Sequence, residues 1–439
     1  MRFVPPDPAH RFTVGEHSIR MIEHLERLHA GRDPQEQRFT DLLRQCSHFD
    51  MLVLASLLHD AGKLVPGTDH SESSAELAKS ISEKLGLAPE KRETLDVLVR
   101  RHLLLVRTAR LHDLKSVNVI RKVAEQVPSL EALRHLYVFT YLDTSAVAEN
   151  NWTSMDFRDL EDLYRKMMDF YESNAGEDLA GDDKIKLVRK KLVALKTAKN
   201  EAAVLKHCDA MPAGYVLNTP LEEISFHLQL LERLESEKVV LDIYNRPGDD
   251  YSELTVCVYD DPEPGMLSKI AGVLYGCNAD IHKAQAFTMH KESPVVLDTL
   301  WLRSNGMQIS ESRARRIQLA LKQVLTGDVP LEEFLRKAGK KAPDGIVLDE
   351  IDLRNDLSEE HTVVHVVAQD LQGLLYMMSR SFSQCGLHIH SAKIATWNAR
   401  AENNFYVTSG DGGQLPDLDL PRWTERIARA LKGQAGTVA

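Results

Sequence analysis

Over roughly the first 170 positions, apolar residues recur three and four apart, the period of a helix packed on one side. Thr13-Val14-Gly15-Glu16 opens the first such stretch as a capping box, with Thr13 as N-cap and Glu16 reaching back to it. Ile19, Ile22, Leu25 and Leu28 form its stripe. A second apolar helix is predicted from about 49 to 60 and a third from Ser73 to Leu85, closed by Gly86. A fourth, about 90 to 107, carries Leu95, Leu98, Val99 and His102, and a fifth, about 131 to 149, carries Leu133, Leu136, Val138 and Phe139. Everything to about 172 therefore reads as all-helical. From there to about 250 the chain is charged and helical, and the lysines between Lys184 and Lys199 read as a solvated face.

Beyond 250 the pattern changes to strands and repeats itself. Leu254 to Tyr259 reads as a strand, Pro264-Gly265-Met266-Leu267 opens a helix, Ala279 to Ala284 starts a second strand and Val295 to Leu302 a third. About 108 residues later Val363 to Ala368, Gly373-Leu374-Leu375, Leu387 to Ala392 and Phe405-Tyr406-Val407 restate the order, and Ile-His-x-Ala occurs in both copies. Strand–helix–strand–strand–helix is a ferredoxin-like order. Ile346 to Ile351 is expected as the last strand of the first copy, and no clear counterpart follows Leu431.

Composition narrows the partners. The net charge of −11 argues against a nucleic-acid binder, which needs a basic face. Five scattered cysteines make neither a zinc ribbon nor a disulfide framework and fit a reducing cytosol. The amino-terminal residues 1–6 lack a signal-peptide pattern, and no run approaches the ~20 apolar residues of a membrane span, so a cytoplasmic protein is expected.

The candidate chemistry lies in the helical region. An apolar run ends abruptly in His59-Asp60, with Gly62 two residues on as the expected helix end. His17, His70, His102 and Asp143 likewise interrupt apolar faces or stand at helix ends, whereas His24 and His29 are expected to face solvent. Singly, each of the six reads best as a satisfied polar residue. Jointly, four histidines and two aspartates aimed inward need a cation, because unpaired buried polar groups are costly. Nitrogen and oxygen donors without thiolate suit Mn, Fe, Zn or Mg.

The order His17, His59-Asp60, Asp143 on successive helices resembles the HD phosphohydrolase superfamily. With His59 to Lys63, Asp69-His70-Ser71-Glu72, Arg101-His102-Leu103 and Leu142 to Val147, it is similar to the HD domain of the bifunctional PII uridylyltransferase/uridylyl-removing enzymes. Trp152 to Met167, Met211 to Tyr215 and Pro220 to Ile224 resemble the next segments of that family, and the repeat resembles tandem ACT domains.

The resemblance implies a multidomain fold: an all-α HD bundle over 1–172, a helical connector over 173–250, and α+β ferredoxin-like ACT domains over 251–356 and 357–439. It implies His17, His59, Asp60 and Asp143 as divalent-metal ligands, with Asp60 able to bridge two ions. His70 and His102 would complete a second position or orient the leaving group, and Lys63 would neutralise phosphate charge. Amino-acid ligands of ACT modules bind at the first strand-to-helix turn, here around Gly265 with Asn278, Asp280 and Ile281, and around Asp370 and Gly373 with Gly386. The family turn is Asp-x-Pro-Gly; here Pro262 stands at the first aspartate position, and Gln372 replaces the second proline. The expected activity is removal of uridylyl groups from a PII-like protein under glutamine control, by a chain that binds neither nucleic acid nor membrane and for which a homodimer is one open oligomeric state. Only sixteen residues precede His17, so uridylyl transfer is not expected of this chain. The alternatives are a non-catalytic amino-acid sensor on a metal-stabilised scaffold and a hydrolase of a free nucleotide phosphodiester.

Overall fold

The computed structural model describes residues 12–64, 69–114, 116–147, 153–172, 181–194, 201–211, 215–216, 219–260, 265–289, 294–341, 345–397 and 400–433. The sequence readings at Trp152, Pro212 to Gly214, Lys196, Lys199, Pro262 and Pro264 lie outside these residues, as do residues 1–6. The chain divides into two compact units, 1–176 and 177–439.

The first unit is helical: α1 (Val14–Ala30), α2 (Gln37–Arg44), α3 (Phe49–Leu58), α4 (His70–Lys84), α5 (Pro89–Arg100), α6 (Leu104–Leu111), α7 (Val117–Ala124), α8 (Leu130–Val147) and α9 (Ser154–Glu172). Thr13 caps α1, its Oγ1 accepting from Glu16 N at 3.1 Å, while the Glu16 carboxylate accepts from Arg20 rather than reaching back. Met21, Leu25, Leu52, Leu98, Leu136 and Phe139 are fully buried in one core, each side chain contributing about 1.5–3 kcal/mol.

The structure corrects four expectations in this unit. Ile19 is 56% exposed, because the inward stripe of α1 runs through Val14, His17, Ser18, Met21, Leu25 and Leu28. His24 lies on that stripe too and is buried. Its Nε2 meets Glu36 Oε1 at 2.6 Å, and the same oxygen accepts from Tyr141 Oη at 2.6 Å. The predicted helix from 90 to 107 is two helices, broken at Arg101-His102-Leu103. Gly62 does not end a helix; it lies inside a 3₁₀ turn, Ala61–Leu64.

The second unit carries α10 (Gly181–Ala194), α11 (Glu201–Ala210), α12 (Leu221–Leu234), α13 (Met266–Gly276), α14 (Glu311–Leu325), α15 (Leu331–Lys337), α16 (Leu374–Gln384) and α17 (Leu420–Leu431). They flank a sheet of β1 (Val239–Asn245), β2 (Ser252–Tyr259), β3 (Asp280–Met289), β4 (Val295–Arg303), β5 (Leu348–Arg354), β6 (Thr362–Gln369), β7 (His388–Trp397) and β8 (Arg400–Thr408). The spatial order is β1-β2-β4-β3-β7-β8-β6-β5, with antiparallel neighbours throughout. The repeat is therefore physical: Ala284 and Ala392, 108 residues apart, pair with each other at the central seam. Strand alternation sends Val296 and Leu300 into the core beneath α13 and α16, while Val295 and Leu297 face the core that α10 to α12 supply.

Two strands depart from the sequence reading. Val239–Asn245, expected within the helical connector, pairs with β2. Leu348–Arg354 does not complete the first copy. The place beside β2 is already filled by β1, so β5 pairs instead with β6 and edges the second copy. Each copy's outer strand thus precedes it, which is why none follows Leu431 among the described residues.

Asp298, on β4 between Val296 and Leu300, is 1% exposed, and its Oδ1 has no hydrogen-bond partner among the described residues. Burial, with help from Asp260, pushes its carboxyl well above the usual range although Phe287 N–H bonds to it. An acid with a raised folded-state pKa contributes most below its unfolded value and costs stability as pH rises through the window above it. Asp298→Asn should therefore raise the melting temperature at about pH 8, by the equivalent of ~1–3 kcal/mol, and change little at about pH 4. Melting curves of both proteins at the two pH values check this.

Candidate metal centre

Each polar side chain is placed by a local device. The Thr13 cap starts α1 so that His17 falls in its first turns, with His17 N bonded to Thr13 O at 2.9 Å. His59 ends α3 in helical backbone conformation and Asp60 enters the tight turn behind it. Asp69 caps α4 through bonds from Ser71 N at 2.8 Å and Glu72 N at 3.3 Å, which brings His70 to the first helical position. His102 occupies the break between α5 and α6, and Asp143 stands on α8.

These six residues converge. Asp143 Oδ1 lies 2.9 Å from His17 Nε2 and 3.6 Å from His59 Nε2. Asp60 Oδ2 is 3.6 Å from His59 Nε2, and its Oδ1 is 3.9 Å from both His70 Nε2 and His102 Nε2. Two groups result, His17/His59/Asp143 and Asp60/His70/His102, each with candidate ligand atoms within 4.8 Å of one another. Asp60 therefore touches both, one oxygen toward each. Lys63 Nζ lies 2.7 Å from Asp60 Oδ2, so the expected phosphate partner is paired with the shared carboxylate.

The donor set fits a divalent cation. His59 Nδ1 and Nε2, His70 Nε2 and His102 Nε2 are buried without hydrogen-bond partners among the described residues. His102 Nδ1 donates to Val99 O at 2.8 Å, which leaves Nε2 as the lone-pair nitrogen facing the centre. Burial alone would raise both carboxylates. His59, Lys63 and His102 outweigh it at Asp60, and the hydrogen bond from His17 with the nearby His59 imidazole outweighs it at Asp143, so both stay ionised below the ordinary range. Burial lowers His70 and, with neighbouring His59, brings His102 down to about 4. Burial lowers His59 as well, but Asp60 and Asp143 overcome it and raise His59. Two anionic carboxylates, with His70 and His102 held toward the neutral form, suit the protonation state that a cation requires of its ligands.

Residues 14–135 match the HD domain family. They form an HD domain. Asp143 lies just beyond the matched segment, on the helix that the match enters. Nearly the whole chain is also homologous to curated bacterial proteins named bifunctional uridylyltransferase/uridylyl-removing enzyme. It is 30% identical to that of Rhodospirillum rubrum over 91% of this chain and 43% of the relative. The one from Gluconobacter oxydans is 29% identical over 97% and 45%, and that from Vibrio campbellii 27% over 97% and 49%. The chain spans about half the length of the curated relatives it matches. HD domain and homology together support a metal-dependent hydrolase of the HD type. No helix among the described residues is long and apolar enough to cross a membrane.

The predicted ligand-binding residues also come together, but in exchanged pairs. Gly373, at the N-terminus of α16 with φ +85°, faces α13 of the other copy: a Cβ there would lie 2.8 Å from the Tyr275 ring. Gly265 faces Ser383 on α16 in the same way, and Tyr275 and Ser383 are 108 residues apart. Asp370 and Gly373 thus share a cavity lining with Asp280 and Ile281, of which Gly386 is not part, and Gln372 Nε2 donates to Asn278 Oδ1 at 3.2 Å. Asn278 and Gly386 fill matching left-handed positions, with φ of 54° and 72°. A cavity of about 510 Å³ opens at this junction, lined by Asp280, Ile281, Asp370 and Gly373 together with Tyr275, Arg303 and Asn403. Sequence reasoning misses the last three. The 108-residue repeat could have shown equivalent positions, but only the β3–β7 pairing reveals that one copy's turn meets the other copy's helix.

Proposed function

We propose that the chain is a divalent-metal-dependent phosphodiesterase that removes uridylyl groups from a PII-like protein, and that a tandem ACT pair places it under glutamine control. The observation that carries the catalytic part is the carboxylate of Asp60 set among histidines of which His59, His70 and His102 leave Nε2 buried without a hydrogen-bond partner among the described residues. His17, His59 and Asp143 would hold one divalent ion and His70 and His102 a second, with Asp60 between them. Such ions would polarise a phosphoryl oxygen and acidify a bound water near neutral pH. The chain's own residues supply the rest. Val99 O fixes the His102 tautomer, burial favours the neutral form of His70 and His102, and Lys63 supplies positive charge beside Asp60 for an incoming phosphate. The relatives' name and the near-complete coverage of this chain support the uridylyl substrate.

The test is hydrolysis of uridylylated PII, a free cyclic nucleotide and bis(p-nitrophenyl) phosphate with added Mn²⁺, against an EDTA control. Mn²⁺-dependent release of UMP from the protein substrate is expected. Turnover of the free nucleotide alone would move the assignment there, and inactivity on all three would leave a sensor.

Glutamine can raise the rate only by binding the active arrangement more tightly, with coupling usually about 1–3 kcal/mol. Gly373→Val places a branched side chain at φ +85° and against the Tyr275 ring. It should abolish the heat of glutamine binding in calorimetry while Mn²⁺ uptake by the HD domain persists. An unchanged glutamine isotherm would remove the turn from the ligand site.

A further inference from the structure

The cavity between the two copies has an apolar floor with one polar side chain set into it. Asn403, mid-way along β8, is 1% exposed and lines the cavity with Ile394, Ala401 and Phe405. Its Nδ2 reaches Met378 Sδ at 3.8 Å, a thioether that accepts only weakly. A buried amide so poorly matched keeps hydrogen-bonding capacity for something else. The rim is charged differently. Asp280 and Asp370 both line it, and burial together with Asp280 raises the Asp370 carboxyl. Arg303 lines it too, and its Nε is buried without a partner among the described residues.

The repeat supplies an internal comparison. Asn403 pairs across the sheet with Val366 and Ile394, and Asp298 pairs with Val256 and Ala286. Val366 and Val256 are 110 residues apart, and Ile394 and Ala286 are 108 apart, so Asn403 and Asp298 hold the same place in the two copies. The rest of the core at this place is apolar in both, with Phe405 answering Leu300. Only the second copy presents a neutral amide there.

We infer that Asn403 sets the side-chain specificity of this cavity by pairing with a terminal carboxamide. The inference rests on the proposed reading of the cavity as an amino-acid site. The ligand's ammonium lies between the rim carboxylates, relieving their repulsion, and its carboxylate faces Arg303 and the N-terminus of α16. The side chain then runs along the apolar wall to Asn403. A carboxamide offers one donor group and one acceptor, the complement of the asparagine amide. A side-chain carboxylate would place a charge on a floor with no cation, and a thioether of equal length would leave the amide unmatched.

The test is calorimetric titration of the full chain with glutamine, glutamate and methionine, for the native protein, Asn403→Leu and Asn403→Ser, with melting curves on each. The native protein should prefer glutamine to both others. Asn403→Leu should lose that preference over methionine by about tenfold or more, and Asn403→Ser, which fits the space whatever the packing, should weaken glutamine in the same direction. A glutamine-to-methionine ratio unchanged in both folded variants would overturn the role of Asn403 and leave the amino-acid site standing. No heat from any of the three amino acids with the native protein would overturn both.

Discussion

Replacing His59 or Asp60 by alanine abolishes divalent-metal uptake and phosphodiester hydrolysis together, with a rate loss of roughly 10³-fold or more, equivalent to about 4 kcal/mol. The expectation comes from position. His59 Nε2 lies 3.6 Å from both Asp60 Oδ2 and Asp143 Oδ1, and Asp60 reaches His59 with one oxygen and His70 and His102 with the other. Loss of His70, at the half-exposed end of the array, removes one donor from one group; loss of Asp60 removes a donor from both. Asp60→Asn separates charge from shape, since it keeps the volume and withdraws the anion that His59, Lys63 and His102 stabilise. Metal content and hydrolysis measured on the same samples check the coupling. Full turnover by either alanine variant would remove the pair from the centre.

Gly62→Ala unfolds or loosens the HD domain more than any exposed substitution would. A Cβ at Gly62 would overlap His70 O and sit 2.8 Å from both Ser73 Cβ and Ser74 N. Two of these three are backbone atoms of α4, so no rotamer change relieves the clash, and the helix must move. Gly62 N also donates to Ser74 Oγ at 2.8 Å, tying the turn behind Asp60 to that helix. Overpacking of this kind costs about 1–3 kcal/mol, and more where backbone must give. A fall in melting temperature on the order of 5–10 °C is expected. Because His70 rides on the same turn of α4, its approach to Asp60 should be lost first, so the stoichiometry of metal uptake should fall even in the folded fraction. Native-like melting with native metal content would show that the turn tolerates the methyl group.

What the sequence disclosed was chemistry that interrupts a pattern. His59-Asp60 ends an apolar run, and His17 and Asp143 stand where periodicity predicts core, so the metal centre could be assembled from sequence and resemblance. What it hid were features set by partners distant in sequence. The apolar period runs through Leu98, Val99, Leu105 and Val106, so nothing local announces the break that frees His102. His24 is buried because Glu36, on another element and itself held by the Tyr141 hydroxyl, satisfies it while the Tyr141 ring packs edge-on against it. Gly62 has the look of a helix stop, but its reason is the carbonyl of His70. The strand content of the repeat was legible from its period, and its pairing was not, because the place beside β2 is held by a segment that reads as helical connector.

The edge strands have a consequence for cutting the molecule apart. β5 reads Leu-Asp-Glu-Ile-Asp-Leu-Arg, and these charges sit on an outer strand whose free backbone would otherwise recruit another chain. β6, beneath it, reads Thr-Val-Val-His-Val-Val-Ala-Gln and carries no such guard. A fragment begun after Arg354, at the natural-looking start of the second copy, would bare that valine-rich strand along its whole length. It would be a seed for intermolecular sheet growth, whereas a cut placed before Leu348 keeps the charged strand as its cover.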